Sequence, residues 1–189
     1  MSKQKTLNAP VIFKGKGLHT GQEVAMNILP AEADSGIAFK RTDLENPVTI
    51  PALCDYVTTT DRGTTIEKDG ARVCTIEHIM AALWTLGIDN ALIEIDGPEV
   101  PIMDGSSAEY AVAITATGLQ ELDADIKYYE IREKVTYSLP DRGIEMVIYP
   151  DDEFSVSVHI DYNSKVLGQQ FATFGPGVDF TKEDRKSVV

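Results

Sequence analysis

One change of period constrains the fold more than any other feature of this sequence. Up to Cys74 apolar side chains recur at every second position in short runs, and from Thr75 they take helical spacing. The run Glu23 to Leu29 puts Val24, Met26 and Ile28 on one face, as in a half-buried strand. Segments 36–41, 48–52 and 64–67 continue the pattern, and Asp69-Gly70 suits a hairpin turn before Ala71 to Cys74. The stretch "TIEHIMAALWTL" then holds helix formers throughout, with Thr75 as expected N-cap and Gly87 where a left-handed C-cap belongs. A strand over Ala91 to Ile95 follows, then the Gly/Pro-rich "DGPEVPIMDGSS". A second helix is expected from about Ser107 to Thr117, with Ser106 and Glu109 as a capping box and Gly118 as terminator. Strands, helix, strand, helix in this order predict a two-layer α+β domain over residues 1–124.

Beyond the polar stretch Asp123 to Lys127 the helical signal disappears. Tyr128 to Tyr137, Ile144 to Tyr149 and Phe154 to Tyr162, separated by turns at 140–143 and 150–152, predict a β-meander over 125–183. Three such strands without a covering helix leave an apolar face open, so this second domain reads as incomplete.

With 189 residues the chain can bury one good core or two small ones. No apolar run approaches the roughly 18 residues of a membrane span, and no secretory signal is visible. A net charge of −13 argues against nucleic acid and anionic bilayers as partners. Cys54 and Cys74 lack a C-x-x-C spacing and read as reduced thiols, so a cytoplasmic protein is expected.

Four short stretches could carry chemistry. "KGKGLHTG", Lys14 to Gly21, has glycines enough for a phosphate loop, but the lysine and the helix such a loop requires are missing after Gly21. A β-turn presenting His19 and Thr20 fits better. Glu77-His78 lies in the first turn of the expected helix; adjacent helical residues diverge by about 100°, so one could bind zinc while the other takes a proton from zinc-bound water. An exposed glutamate beside a packed histidine is the plainer alternative. Asp104-Gly-Ser106 reads either as a helix cap or as a site support. His159, in "SVSVHIDYN", shares a strand face with Asp161 and Asn163, either solvated or touching a polar substrate.

Taken in order, "GKGLHTG" and "RVCTIEHIMAALWTLGIDNALIEIDGPEVPIMDGSSAEY" resemble the zinc-dependent UDP-3-O-acyl-N-acetylglucosamine deacetylases of lipid A synthesis, from Lys5 to about Phe180. "TTDRGTTI" looks like the Bacteroidetes-type branch, in which this enzyme is often fused to a hydroxyacyl-ACP dehydratase. The resemblance implies two facing βα sandwiches of the ribosomal-S5-domain-2-like type. It implies Glu77 as general base, His78 as a Zn2+ ligand, Leu18 and His19 in a turn bordering the substrate, and Asp161 and Tyr162 at the glucosamine nucleotide. The expected reaction is hydrolysis of the N-acetyl amide of the UDP-3-O-acyl sugar.

The pattern departs from the family in one respect that decides activity. The family's other zinc ligands, a histidine and an aspartate one helical turn apart, and its later catalytic histidine have no counterpart. The only histidines are His19, His78 and His159. The closing "DRKSVV", 184–189, reads as an artefactual tail on an N-terminal fragment. The chain itself is therefore expected to be inactive, either as part of a zinc deacetylase or as a non-catalytic nucleotide-sugar-binding domain.

Overall fold

A computed structural model describes residues 2–180, and the expected tail at 184–189 lies outside the described residues. The strands are β1 Lys3–Leu7, β2 Val11–Lys16, β3 Glu23–Pro30, β4 Ile37–Arg41, β5 Val48–Pro51, β6 Val57–Thr59, β7 Thr65–Lys68 and β8 Ala71–Val73. Helix α1 Glu77–Thr85, β9 Ala91–Ile95, α2 Ala108–Thr117 and β10 Leu119–Asp125 complete the first part. After them come β11 Val135–Leu139, β12 Ile144–Ile148, β13 Val156–Asp161 and β14 Gln169–Phe174. Mostly strands with few helices, the architecture is α+β. Contacts divide the chain into one unit running to Ile126 and another over Lys127–Asp179.

The first unit is built on a five-stranded sheet ordered β2-β3-β9-β4-β5. Strand β9 pairs antiparallel with β3 and parallel with β4. Being hydrogen-bonded on both edges, β9 carries buried Ala91, Ile93 and Ile95 alternating with the half-buried Leu92 and Glu94. The inward set meets Met26, Ile28, Phe39 and Ile50 from neighbouring strands. Helices α1 and α2 supply Ile79, Leu83, Tyr110 and Ile114 to the same core, and the rings of Phe13 and Tyr110 pack edge to face at 4.8 Å. On the alternate positions of the sheet, Lys40 and Glu94 face each other in register and form an ion pair of 2.9 Å.

In the first unit the period-2 segments form strands within a residue or two of their expected bounds, while β1, β2 and β10 carry weaker patterns; the strand expected over Tyr128 to Tyr137 is β11, which begins only at Val135. The polar stretch that reads as a linker from Asp123 is instead partly strand: β10 runs to Asp125 against β1. Lys3 places its ammonium 3.1 Å from Asp123 and 3.4 Å from Asp125, so charge pairing substitutes there for the apolar signal a strand usually carries. A small sheet of β6, β7 and β8 leads into α1. Its β7–β8 turn has Asp69 and Gly70 both at positive φ, 50° and 79°, the conformation that favours Asp-Gly.

In the second unit the described strands make separate hairpins, β11 with β12 and β13 with β14, in place of one meander. The connection after β12 includes Pro150 and is acidic from Asp151 through Glu153, and β13 finds its partner in β14, which the sequence pattern did not reveal. Val156, Val158 and Ile160 remain 39%, 44% and 43% exposed.

Truncating Ile93, fully buried in β9, to alanine should cost about 2–5 kcal/mol in urea unfolding. The same change at Ile12, 65% exposed, should cost less than about 1 kcal/mol. Amides of β13 and β14 should exchange with deuterium well before those of β3 and β9, because little apolar surface covers them. Equal protection would contradict that account.

Candidate active site

The "GLHTG" motif forms a closed turn after β2. Gly21 donates its N–H to the Gly17 carbonyl at 3.0 Å, Gly17 donates to Gln22 O at 3.0 Å, and Gly21 takes φ 65°, which glycine adopts without strain. Gly17 has a second reason to be glycine. A Cβ there would collide with the Glu99 carboxylate and the Thr20 hydroxyl.

Glu99 is the acceptor around which this turn folds. It is fully buried and takes the His19 N–H at 3.0 and 3.1 Å, the Thr20 N–H at 2.8 Å and the Thr75 hydroxyl at 2.9 Å. Burial works against its charge, but the bonds from His19, Thr20 and Thr75 outweigh it and hold the carboxyl below the ordinary glutamate range. The segment bearing Glu99 is fastened on both sides. Cys74 donates to Pro98 O and accepts from Val100, while Ile102 donates to Lys16 O. The buried Tyr110 hydroxyl donates to the Pro101 carbonyl, and burial pushes that phenol's pKa upward.

Thr75 was expected as an N-cap; the structure assigns that position to Ile76, which makes no side-chain cap bond. The Thr75 hydroxyl is committed to Glu99, and the residue sits at φ 59°, an unusual conformation for a β-branched side chain. The backbone thus turns sharply into α1. Gly87 follows the helix at φ 70°, as its position implied. The capping box expected at α2 also differs. The N-cap residue is Ser107, and Ser106 instead accepts the Ala108 N–H at 3.1 Å while donating to Asp104 at 2.8 Å. Asp104 supports this local turn.

Glu77 and His78 occupy the first turn of α1, with Glu77 partly exposed and His78 more covered. Glu77 accepts the Thr64 N–H at 2.8 Å, and the His78 Nε2 lies 4.0 Å from its carboxylate. The loop 62–64 connects them to the glycine turn. His19 Nε2 donates to the Arg62 carbonyl at 3.0 Å, and a Cβ on Gly63 would stand 3.2 Å from the Glu77 carboxylate. An open cleft of about 250 Å³ is lined by His19, Thr20, Arg62, Gly63, Thr75 and Glu99 among others. Glu77 and His78 are absent from its lining and adjoin it through that loop. Leu18 is 42% exposed on the turn.

Asp161 and Tyr162 belong to the second unit. Asp161 closes β13, accepts the Gln169 side chain at 2.9 Å and the Asn163 N–H at 2.9 Å, and these bonds hold its carboxyl below the usual range. Tyr162 is 44% exposed, and His159 sits in register with Phe171.

A catalytic zinc takes three protein ligands, and among the described residues no group of three His, Cys, Asp or Glu side chains could hold a metal. His78 with Glu77 does not make a zinc site by itself. Sequence reasoning missed Glu99 and treated Arg62-Gly63 only as a marker of a family branch. The one available signal for Glu99 was an acid set among Pro98, Val100 and Pro101, in a stretch otherwise apolar.

An acid and an imidazole thus stand side by side at a helix start on an α+β unit, joined by a loop to a cleft. The family model for the UDP-3-O-acyl N-acetylglycosamine deacetylase LpxC matches residues 4–184, and the chain belongs to that family. It is 45% identical over 183 residues to the bifunctional enzyme LpxC/FabZ of Porphyromonas gingivalis, covering 97% of this chain and 40% of that protein. The corresponding protein of Bacteroides thetaiotaomicron is 42% identical over 183 residues, with the same shares covered. A UDP-3-O-acyl-N-acetylglucosamine deacetylase of Myxococcus xanthus is 44% identical, covering 95% of this chain and 57% of that protein. The chain therefore spans 40% to 57% of the length of these relatives.

Because the Glu99 pKa is lowered by folding, its charge stabilises the native state fully above the ordinary glutamate range. That contribution disappears as pH falls through the lowered value. The melting temperature of Glu99→Gln should therefore lie below wild type at pH 7 and approach it under acid, as read by circular dichroism.

Proposed function

We propose that these residues belong to a deacetylase that hydrolyses the N-acetyl amide of a UDP-3-O-acyl-N-acetylglucosamine, with Glu77 as the general base. The observation that carries this reading is Glu77 and His78 at the start of α1, tied through loop 62–64 to the His19 turn. Removing a proton from an attacking water requires a carboxylate held in place with one oxygen free to accept. The Thr64 N–H fixes Oε2 of Glu77, which leaves Oε1 toward His78. Zinc, as the family's metal, supplies a water acidic enough to attack an amide at neutral pH. His78 contributes one donor to it, and the others lie in the part of the relatives that this chain does not span.

Leu18 and His19 border the substrate under this reading, and Asp161 and Tyr162 contact its nucleotide. Asp104 is a support. The first unit corresponds to one of two similar βα sandwiches, and a fused dehydratase accompanies the deacetylase as in the relatives named bifunctional. The enzyme works in the cytoplasm on a small-molecule substrate. The net charge of −13 is unsuited to nucleic acid, and among the described residues no helix is long and apolar enough to cross a membrane.

The short donor set also favours a second reading, a nucleotide-sugar-binding domain without chemistry. Zinc stoichiometry and amide hydrolysis separate these. The 189-residue chain should bind less than one zinc and show no turnover. A version extended along its gene should gain both, and lose turnover by about 10²-fold or more with Glu77→Ala. Stoichiometric zinc and hydrolysis by the short chain would refute the incomplete-site account, whereas an extended chain that stays inert would favour the binding domain.

A further inference from the structure

We propose that Glu99 is a positioning residue, whose buried carboxylate holds the His19 turn and the entry to α1 in one fixed arrangement. Among the described residues its donors come from these two segments alone. His19 and Thr20 contribute backbone N–H groups from the turn, and Thr75 contributes its hydroxyl from the residue before Ile76 and Glu77. The segment that carries Glu99 is itself pinned between Lys16 and Cys74, so the carboxylate cannot follow one segment and abandon the other.

Local chemistry shows that this position is demanding. A fully buried carboxylate is tolerated only when its lone pairs are satisfied, and here the donors do so. Gly17 gives up a side chain to make room for it. Thr75 accepts φ 59° in a β-branched residue, a strained state that persists only where the surroundings impose it. The hydroxyl bond to Glu99 imposes it, and the same conformation aims the chain at the Glu77-His78 turn. Glu99 touches no reacting atom in this scheme; it acts through His19 on one side and Thr75 on the other.

The inference rests on the deacetylase reading for the importance of those two segments, whereas the bonds themselves are independent of it. The charged or titratable groups around the cleft are Asp61, Arg62, Arg72 and His19 beside Glu99. An amide bonded to a carboxylate shifts its proton resonance when that carboxylate titrates, which reports the bonds to His19 and Thr20 directly, while the Glu77 and His78 signals report what those bonds position.

The test is a pH titration of the isotope-labelled 189-residue chain by proton–nitrogen NMR. The His19 and Thr20 amides should share a transition whose midpoint lies below the ordinary glutamate range, apart from any shift caused by the His19 ring itself. Glu99→Gln should abolish that shared transition, speed exchange of both amides by about tenfold, and displace the Glu77 and His78 signals while those of Ile93 and Ile28 stay. Thr75→Val should displace the Glu77 and His78 signals in the same direction, and Thr75→Ser should restore them. Should Glu99→Gln fail to fold, the valine and serine variants carry the decision. Unlinked midpoints, or Glu77 and His78 signals unmoved by Glu99→Gln or Thr75→Val, would overturn the proposal. Adding UDP-N-acetylglucosamine in excess separates failure of this proposal from failure of the deacetylase reading it rests on. Wild-type His19 signals indifferent to it would count against the deacetylase reading alone, since the midpoints are measured without it.

Discussion

The first unit is organised by a charge taken out of water. Moving a carboxylate into an apolar interior is unfavourable by several kcal/mol unless donors replace the lost hydration, roughly one bond for each lone pair given up. Glu99 meets that condition with donors from two chain segments more than fifty residues apart, at His19 and Thr20 and at Thr75. Consequences spread outward from it. Gly17 stays without a side chain, Thr75 turns left-handed, and Cys74 and Lys16 bracket the segment that carries the acid. Breaking one partner of such a cluster leaves the others unsatisfied, so its members succeed or fail together.

The sheet makes this arrangement possible. Strand β9 is held on both edges, antiparallel on one side and parallel on the other, and its inward residues meet both helices in one core. That frame fixes where β9 ends, and with it the turn at Asp96-Gly97 that delivers Glu99 back beside β2. Gly97 lies against Val24 so closely that a Cβ would stand 2.6 Å from its methyl carbon. Core packing and the polar cluster are thus two consequences of the same strand placement. The second unit has no comparable frame among its described residues, and its hairpins leave their apolar side chains largely open to solvent.

Much of the first unit was legible because its signals are local. Period-2 alternation in β3 and β9, the Asp69-Gly70 turn and the glycine after α1 each depend on neighbours a few residues away. Glu77 and His78 were legible for the same reason, lying one after the other where a helix begins. The misreadings share a cause as well. Thr75 looked like an N-cap because its hydroxyl could cap; which acceptor or donor it meets depends on residue 99. Asp123 and Asp125 looked like a linker because their partner, Lys3, lies at the opposite end of the unit. Strand β13 seemed to continue a meander because its true partner, β14, alternates weakly.

By itself the sequence determined the kinds of element, their order, the family motifs and the adjacent acid and imidazole, since backbone propensity and side-chain period act over a few residues. Only the tertiary structure decided that Glu99 gathers the His19 turn and Thr75, and that loop 62–64 reaches both His19 and Glu77. Those outcomes depend on which distant segments meet across the sheet. A buried charge selects its partners by proximity in space, and spacing along the chain carries no record of that distance.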